Sequence, residues 1–205
     1  VALLLAAMKD IPRHDAAVRT GREAPERGSL VLRGRTVGLL GLGAVGRRIG
    51  AMLAGFGVRL VGLRARPGAA PPDLPLERIY GPDEIEAFFA AASVVFVAVP
   101  HTPCTHRLVG ARELAALGPD GILVQVARFE VIDEAALLAA LERGTIRALA
   151  LDVWPEDPGA VDGRSMPGAA ARAFAGFDQV VLSPHRAASP FDDLGRWDDV
   201  IVALD

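Results

Sequence analysis

The chain has one cysteine in 205 residues, Cys104. An intramolecular disulfide is therefore excluded, and the usage suits a reducing cytoplasm. Histidines stand only at positions 14, 101, 106 and 185. With the single cysteine they show no metal-ligand spacing, so no metal is expected. Excess charge is missing too. The formal net charge is -3, which gives no reason to expect nucleic acid or an anionic membrane as partner. Nor does the apolar opening VALLLAAM supply a membrane span, being too short and without a basic region before it. It reads as the end of a core or interface helix, broken or kinked by Pro12. The chain starts with Val1 and stops in an amphipathic DDLGRWDDVIVALD, so both ends read as cut from a larger protein.

What is present suits an ordinary globular protein, 51% hydrophobic and 23% charged. Short unbroken apolar runs recur at 37–40, 58–63, 94–99, 122–126, 148–153 and 180–182. Such runs predict strands buried on both faces, as in a parallel sheet. Helical stretches alternate with them at 44–56, 83–91, 112–117, 133–143 and 191–204. The alternation predicts a Rossmann-type doubly wound parallel sheet with helices on both faces. ARPGAAPPDLP reads as a proline-rich surface loop, and 155–175 as a long mobile insertion before the last strand. No repeat and no second core are visible, so residues 1–205 read as one domain.

Gly41, Gly43 and Gly46 form G-x-G-x-x-G between the first strand and a helix. The first glycine makes the tight turn, the second lets backbone amides approach a pyrophosphate on the helix N-terminus, and the third allows close packing. The complete strand–turn–helix–strand context is what gives this motif its weight. At the end of the second strand, NAD-specific units place an acid that accepts from the adenosine ribose hydroxyls. This chain has Arg64 there and Arg66 two residues on. A guanidinium attracts a 2′-phosphate and bonds it in a forked geometry, so the expected cofactor is NADP, with NAD as the alternative. Solvated loop arginines are the plainer reading.

The second half, GILVQVARFEVIDEAALLAALERGTIRALALDVWPEDP followed by VVLSPHRAAS, resembles the D-isomer-specific 2-hydroxyacid dehydrogenases. That family reads I-N-x-x-R-G-x-x-V-D-E-x-A-L, then L-D-V-F-x-x-E-P, then T-P-H. The resemblance implies an NAD(P)-binding domain of a two-domain dehydrogenase, with the substrate domain largely absent from this chain. It implies hydride transfer between a nicotinamide cofactor and a small 2-oxo or 2-hydroxy acid, and a homodimer in which a partner could cover the VALLLAAM helix. It makes Arg128 the clamp for the substrate carboxylate, His185 the general acid, and Asp157 the carboxylate that supports the histidine. Asp157 stands where the family has glutamate and is one methylene shorter; neighbouring Glu156 is the alternative. The implied cofactor set is Gly41, Gly43, Ala44, Val45, Gly46, Arg64, Arg66, Pro100, Thr105, Val126, Ala127, Arg128, Asp152 and His185. His101 is placed at the cleft, whereas His14 and His106 read as ordinary surface or packing residues. Two further departures are Gln125 for asparagine and Phe129 for glycine, which suggest a differently shaped Arg128 loop. A catalytically weak or inactive dinucleotide-sensing interaction module of the same fold is the alternative function.

Overall fold

The computed structural model describes residues 1–23, 28–66, 71–155 and 169–187. Among these residues seven strands form one sheet: β1 (Thr36–Leu40), β2 (Arg59–Leu63), β3 (Leu76–Tyr80), β4 (Val94–Val97), β5 (Ile122–Gln125), β6 (Ala148–Leu151) and β7 (Val180–Leu182). Their order is β3-β2-β1-β4-β5-β6-β7, and every pair is parallel. The chain winds outward from β1 in both directions, so the sheet has a crevice above the carboxyl ends of β1 and β4, where ligands bind in folds of this kind.

Unbroken apolar strands need cover on both faces, and they have it. Val95 and Val97 of β4 point into one core, while Val94 and Phe96 point into the other. On the first face lie α4 (Ile85–Ala91), α5 (Ala111–Leu117), α6 (Glu134–Glu142) and α7 (Ala169–Ala175). On the second lie α1 (Ala2–Lys9) and α3 (Ala44–Ala54). Asp133 caps α6 by accepting from the Ala136 N–H at 2.9 Å. Between α1 and α2 (Ile11–Thr20) the helix breaks at Asp10, whose φ is 51°, and Pro12 sits in the first turn of α2. There its missing N–H costs nothing.

The structure corrects several expectations. Strand β3 adds to the expected six; it is an edge strand whose polar residues face water, so it shows no continuous apolar run. Strands β4, β5 and β6 end one or two residues early, because residues such as Val99 and Val126 leave the ladder to line the crevice. Part of the expected surface loop docks: Pro71 is buried, and Leu74 enters the core against Gly50 and Leu39. Part of the expected insertion is α7, anchored by fully buried Phe174. The sheet itself covers α1, whose Leu4 and Met8 are buried over β5, β6 and β7. That helix therefore gives no argument for a partner subunit. The expected helix at 191–204 lies outside the described residues.

Candidate active site

Three steric facts shape the glycine turn. Gly41 has φ 105°, and a Cβ there would lie 2.7 Å from the Ala98 carbonyl oxygen. A Cβ on Gly46 would lie 1.9 Å from the Gly41 carbonyl oxygen, so the third glycine lets α3 sit against the turn. Among the described residues a Cβ on Gly43 would meet nothing within 4 Å, and that open side faces the crevice. Among the described residues no side chain caps α3. Its first-turn amides point out of an uncapped helix end, which is the donor set that a pyrophosphate satisfies. The turn therefore fits a dinucleotide.

Beside it, an open cleft of about 760 Å³ runs along the strand ends. Gly43, Ala44 and Val45 form one wall. Pro100 and His101 follow β4 as the next stretch of lining, together with Ala98 and Val99. Val126, Ala127, Arg128 and Glu130 follow β5, Asp152 follows β6, and His185 follows β7. Arg128 and His185, separated by 57 residues of chain, thus line one cleft. Gly41 and Gly46 lie beneath the turn and serve it sterically. Arg64 leaves β2 half-buried, its N–H donating to the Tyr80 carbonyl at 3.3 Å, and Arg66 is exposed two residues on. The loop beyond them is tied to α3 by Arg47, which bonds both carboxylate oxygens of Asp73 at 3.1 and 2.7 Å. That hydrogen-bonded guanidinium holds the Asp73 carboxyl below the usual aspartate range. Asp157 and Glu156 lie outside the described residues.

Asp152 and Gln125 are buried polar side chains at the strand ends, and each holds a loop. The Asp152 carboxylate accepts from the Ser183 hydroxyl and from the backbone N–H groups of Arg186 and Ala187, both at 2.9 Å. Trp154 adds a bond from its indole N–H to the Ser183 carbonyl at 2.9 Å. Together they fix His185, whose φ of 56° is a left-handed conformation that costs a histidine about 1–2 kcal/mol. Gln125 donates to the Arg128 carbonyl and accepts from the Ala127 N–H, each at 2.9 Å. The departures at 125 and 129 do not leave the loop unformed. Phe129 needs no positive φ, and its ring is buried edge-on against Phe174 with centroids 6.0 Å apart.

The loop after β4 closes on itself and on its neighbour. Thr105 spends its hydroxyl there, donating to the Pro100 carbonyl at 2.6 Å and accepting from the Thr102 N–H at 2.8 Å. His106 is not an isolated surface residue, for its Nδ1 lies 3.2 Å from His101 Nε2. Arg107 N–H donates to the Glu130 carbonyl at 2.8 Å, and Val109 N–H to the Val131 carbonyl at 3.0 Å. The sequence reading missed the lining residues Ala98, Val99 and Glu130 and the holding roles of Gln125, Ser183 and Trp154. For Gln125 a signal existed: a polar residue closing an apolar strand needs a partner.

Comparison with known proteins identifies the family. The D-isomer specific 2-hydroxyacid dehydrogenase family, NAD binding domain, matches residues 1–187. The chain belongs to this family. It is 32% identical over 189 residues to D-3-phosphoglycerate dehydrogenase of Methanocaldococcus jannaschii, covering 91% of this chain and 34% of that one. It is 31% identical over 201 residues to glyoxylate reductase of Pyrococcus furiosus, covering 93% and 55%. Among solved structures, the NADPH-dependent glyoxylate/hydroxypyruvate reductase of Sinorhizobium meliloti, in complex with NADP and malonate, superposes with a TM-score of 0.77 at 34% identity. That match covers 93% of this chain and 56% of the reductase. This chain thus spans about a third to a half of its relatives' length, and its fold is that of their dinucleotide-binding part. Among the described residues no helix is long and apolar enough to cross a membrane.

Proposed function

We propose that the chain is the dinucleotide-binding domain of a two-domain, NADPH-preferring reductase of small 2-oxo acids, of the glyoxylate or hydroxypyruvate reductase type. The observation that carries this is the shared cleft of Arg128 and His185 beside the open side of Gly43. A nicotinamide held beside the glycine turn would supply, when bound, the hydride for the keto carbon. Arg128 grips the substrate carboxylate with its planar guanidinium and orients the adjacent carbonyl. His185 gives a proton to the carbonyl oxygen as it gains charge, completing the 2-hydroxy acid. In this reading Asp157, or Glu156 beside it, is the carboxylate that accepts from the far ring nitrogen and keeps the histidine oriented. Asp152 serves the nicotinamide end by holding the His185 loop, and Thr105 and Pro100 shape the opposite lip.

NADP preference is supported by Arg64 and Arg66 at the end of β2, where a carboxylate would repel a 2′-phosphate. The Sinorhizobium reductase, a relative at 34% identity, holds NADP. A homodimer is supported by α2, which buries none of its residues and exposes Ile11 and Val18 on one face. A cytoplasmic setting is supported by the exposed free thiol of Cys104. The test is loss of NADPH or NADH absorbance by the full-length protein with glyoxylate, hydroxypyruvate and pyruvate. Turnover with at least one, faster with NADPH, is expected. Tight cofactor binding without turnover of any 2-oxo acid would replace the enzyme by the dinucleotide-sensing module. A monomeric mass at micromolar concentration would remove the dimer.

A further inference from the structure

Arg128 is exposed, and among the described residues its guanidinium bonds only the neighbouring Ala127 carbonyl, at 2.9 Å. What holds the arginine in the cleft is therefore its backbone, and that backbone has an anchor on each side. Before it stands Gln125, the last residue of β5 and fully buried. Both ends of its amide are committed, one to the Ala127 N–H and one to the Arg128 carbonyl. After it stands Phe129, 3% exposed, which opens a single helical turn (Phe129–Val131) and seats its ring against Phe174 of α7.

We infer that Gln125 is a positioning residue for Arg128, and that Gln125 and Phe129 act as one unit that sets where the guanidinium meets the substrate carboxylate. The inference rests on the reading of Arg128 as the carboxylate clamp. Length matters: glutamine is longer than asparagine by one methylene, about 1.5 Å, and its amide bonds both the Ala127 N–H and the Arg128 carbonyl. These are also the two positions at which the chain departs from the asparagine and glycine usual in its family, and they flank the same arginine. A longer clamp on one side and a buried ring on the other describe a single altered loop. Displacing a binding group by about 1 Å costs on the order of 100-fold in rate. The unit therefore decides substrate affinity without touching the substrate.

The experiment uses the full-length protein and the variants Q125A, Q125E, F129L and Q125A/F129L. Steady-state kinetics with glyoxylate and NADPH are read beside hydrogen exchange of the backbone at 126–131. Q125A is expected to raise KM for glyoxylate and lower kcat/KM about 100-fold, with NADPH affinity unchanged and exchange accelerated at 126–131 alone. Q125E keeps the acceptor for Ala127 but sets a buried carboxylate oxygen against the Arg128 carbonyl, so it should lose at least as much as Q125A. The double variant should lose less than the product of the single losses, because both residues hold one segment. Wild-type KM and kcat in Q125A would overturn the inference, as would fully multiplicative losses or a parallel fall in NADPH affinity. If Q125A fails to fold, F129L carries the same test from the other side of Arg128, with the same expected rise in KM and exchange at 126–131. If the wild type reduces no 2-oxo acid, the functional reading fails separately. The clamp is then judged by exchange alone: acceleration confined to 126–131 upholds it, and unchanged exchange overturns it.

Discussion

Replacing Asp152 by alanine removes three acceptor contacts from the five residues that carry His185. A net hydrogen bond is worth about 1 kcal/mol, and more when the acceptor is charged, so the local loss is about 3–5 kcal/mol. His185 sits at φ 56°, a conformation that costs a non-glycine residue about 1–2 kcal/mol and has to be held by its surroundings. Without Asp152 the backbone should relax, and the imidazole should leave the place it takes in the cleft, where the proposed function has it meet a keto oxygen. A displacement of about 1 Å costs on the order of 100-fold, so kcat should fall by about that factor. The assay is a double-mutant cycle on the full-length protein with Asp152→Ala, His185→Ala and both, followed by NADPH consumption with glyoxylate. If Asp152 acts through the histidine, its removal costs almost nothing once His185 is gone. Amide exchange at 183–187 should rise in Asp152→Ala while exchange in β1 stays slow. Multiplicative losses in the cycle, or an unchanged exchange rate at 183–187, would refute the reasoning and leave Asp152 a direct partner of the cofactor.

The glycine turn separates two kinds of damage. Gly46→Ala drives a Cβ into the Gly41 carbonyl and should lower thermal stability along with dinucleotide affinity, whereas Gly43→Ala meets no protein atom and should leave the melting temperature unchanged while weakening dinucleotide binding more than tenfold, as fluorescence titration will show. Arg64→Asp should reverse the ratio of NADPH to NADH affinity; equal wild-type affinities, unmoved by the substitution, would show that Arg64 does not read the phosphate. The Arg47–Asp73 tie has a pH signature. Because its Arg47 bond lowers the Asp73 pKa from 3.8 in the folded protein, the tie stabilises fully above that value and is lost as pH falls through the lowered one. Carboxyl NMR should find the Asp73 midpoint below 3.8 in the wild type and higher in Arg47→Ala.

The buried middle of the sheet was readable because parallel strands covered on both faces must be apolar without interruption, as Val94–Val97 and Ile122–Gln125 nearly are. The same rule hid β3, where Glu77 and Arg78 face water at the sheet edge. The glycine turn was readable because its residue type follows from sterics that a sequence displays directly. That Arg128 and His185 line one cleft was legible from their positions after strands and from the family resemblance, but what holds their loops was not. Gln125 looked like a departure from a pattern. That its amide spans two peptide groups depends on a loop path that no local rule specifies. Phe129 looked like an obstacle where a glycine was expected, and only the packing of Phe174 from a helix 40 residues later makes it an anchor. Long-range contacts of this kind have no periodicity to read.

The loops that follow β4 and β5 share a short parallel bridge between Val109 and Ile132, and Asp133 N–H closes it by donating to the Val109 carbonyl at 3.0 Å. For anyone altering substrate choice by exchanging loops between relatives, residues 100–110 and 126–133 are consequently a single transferable cassette. Transplanting one without the other would leave Arg107, Val109 and Asp133 donating to carbonyls that have moved. Variation in this half of the cleft should therefore be inherited in matched pairs of loops, not one loop at a time.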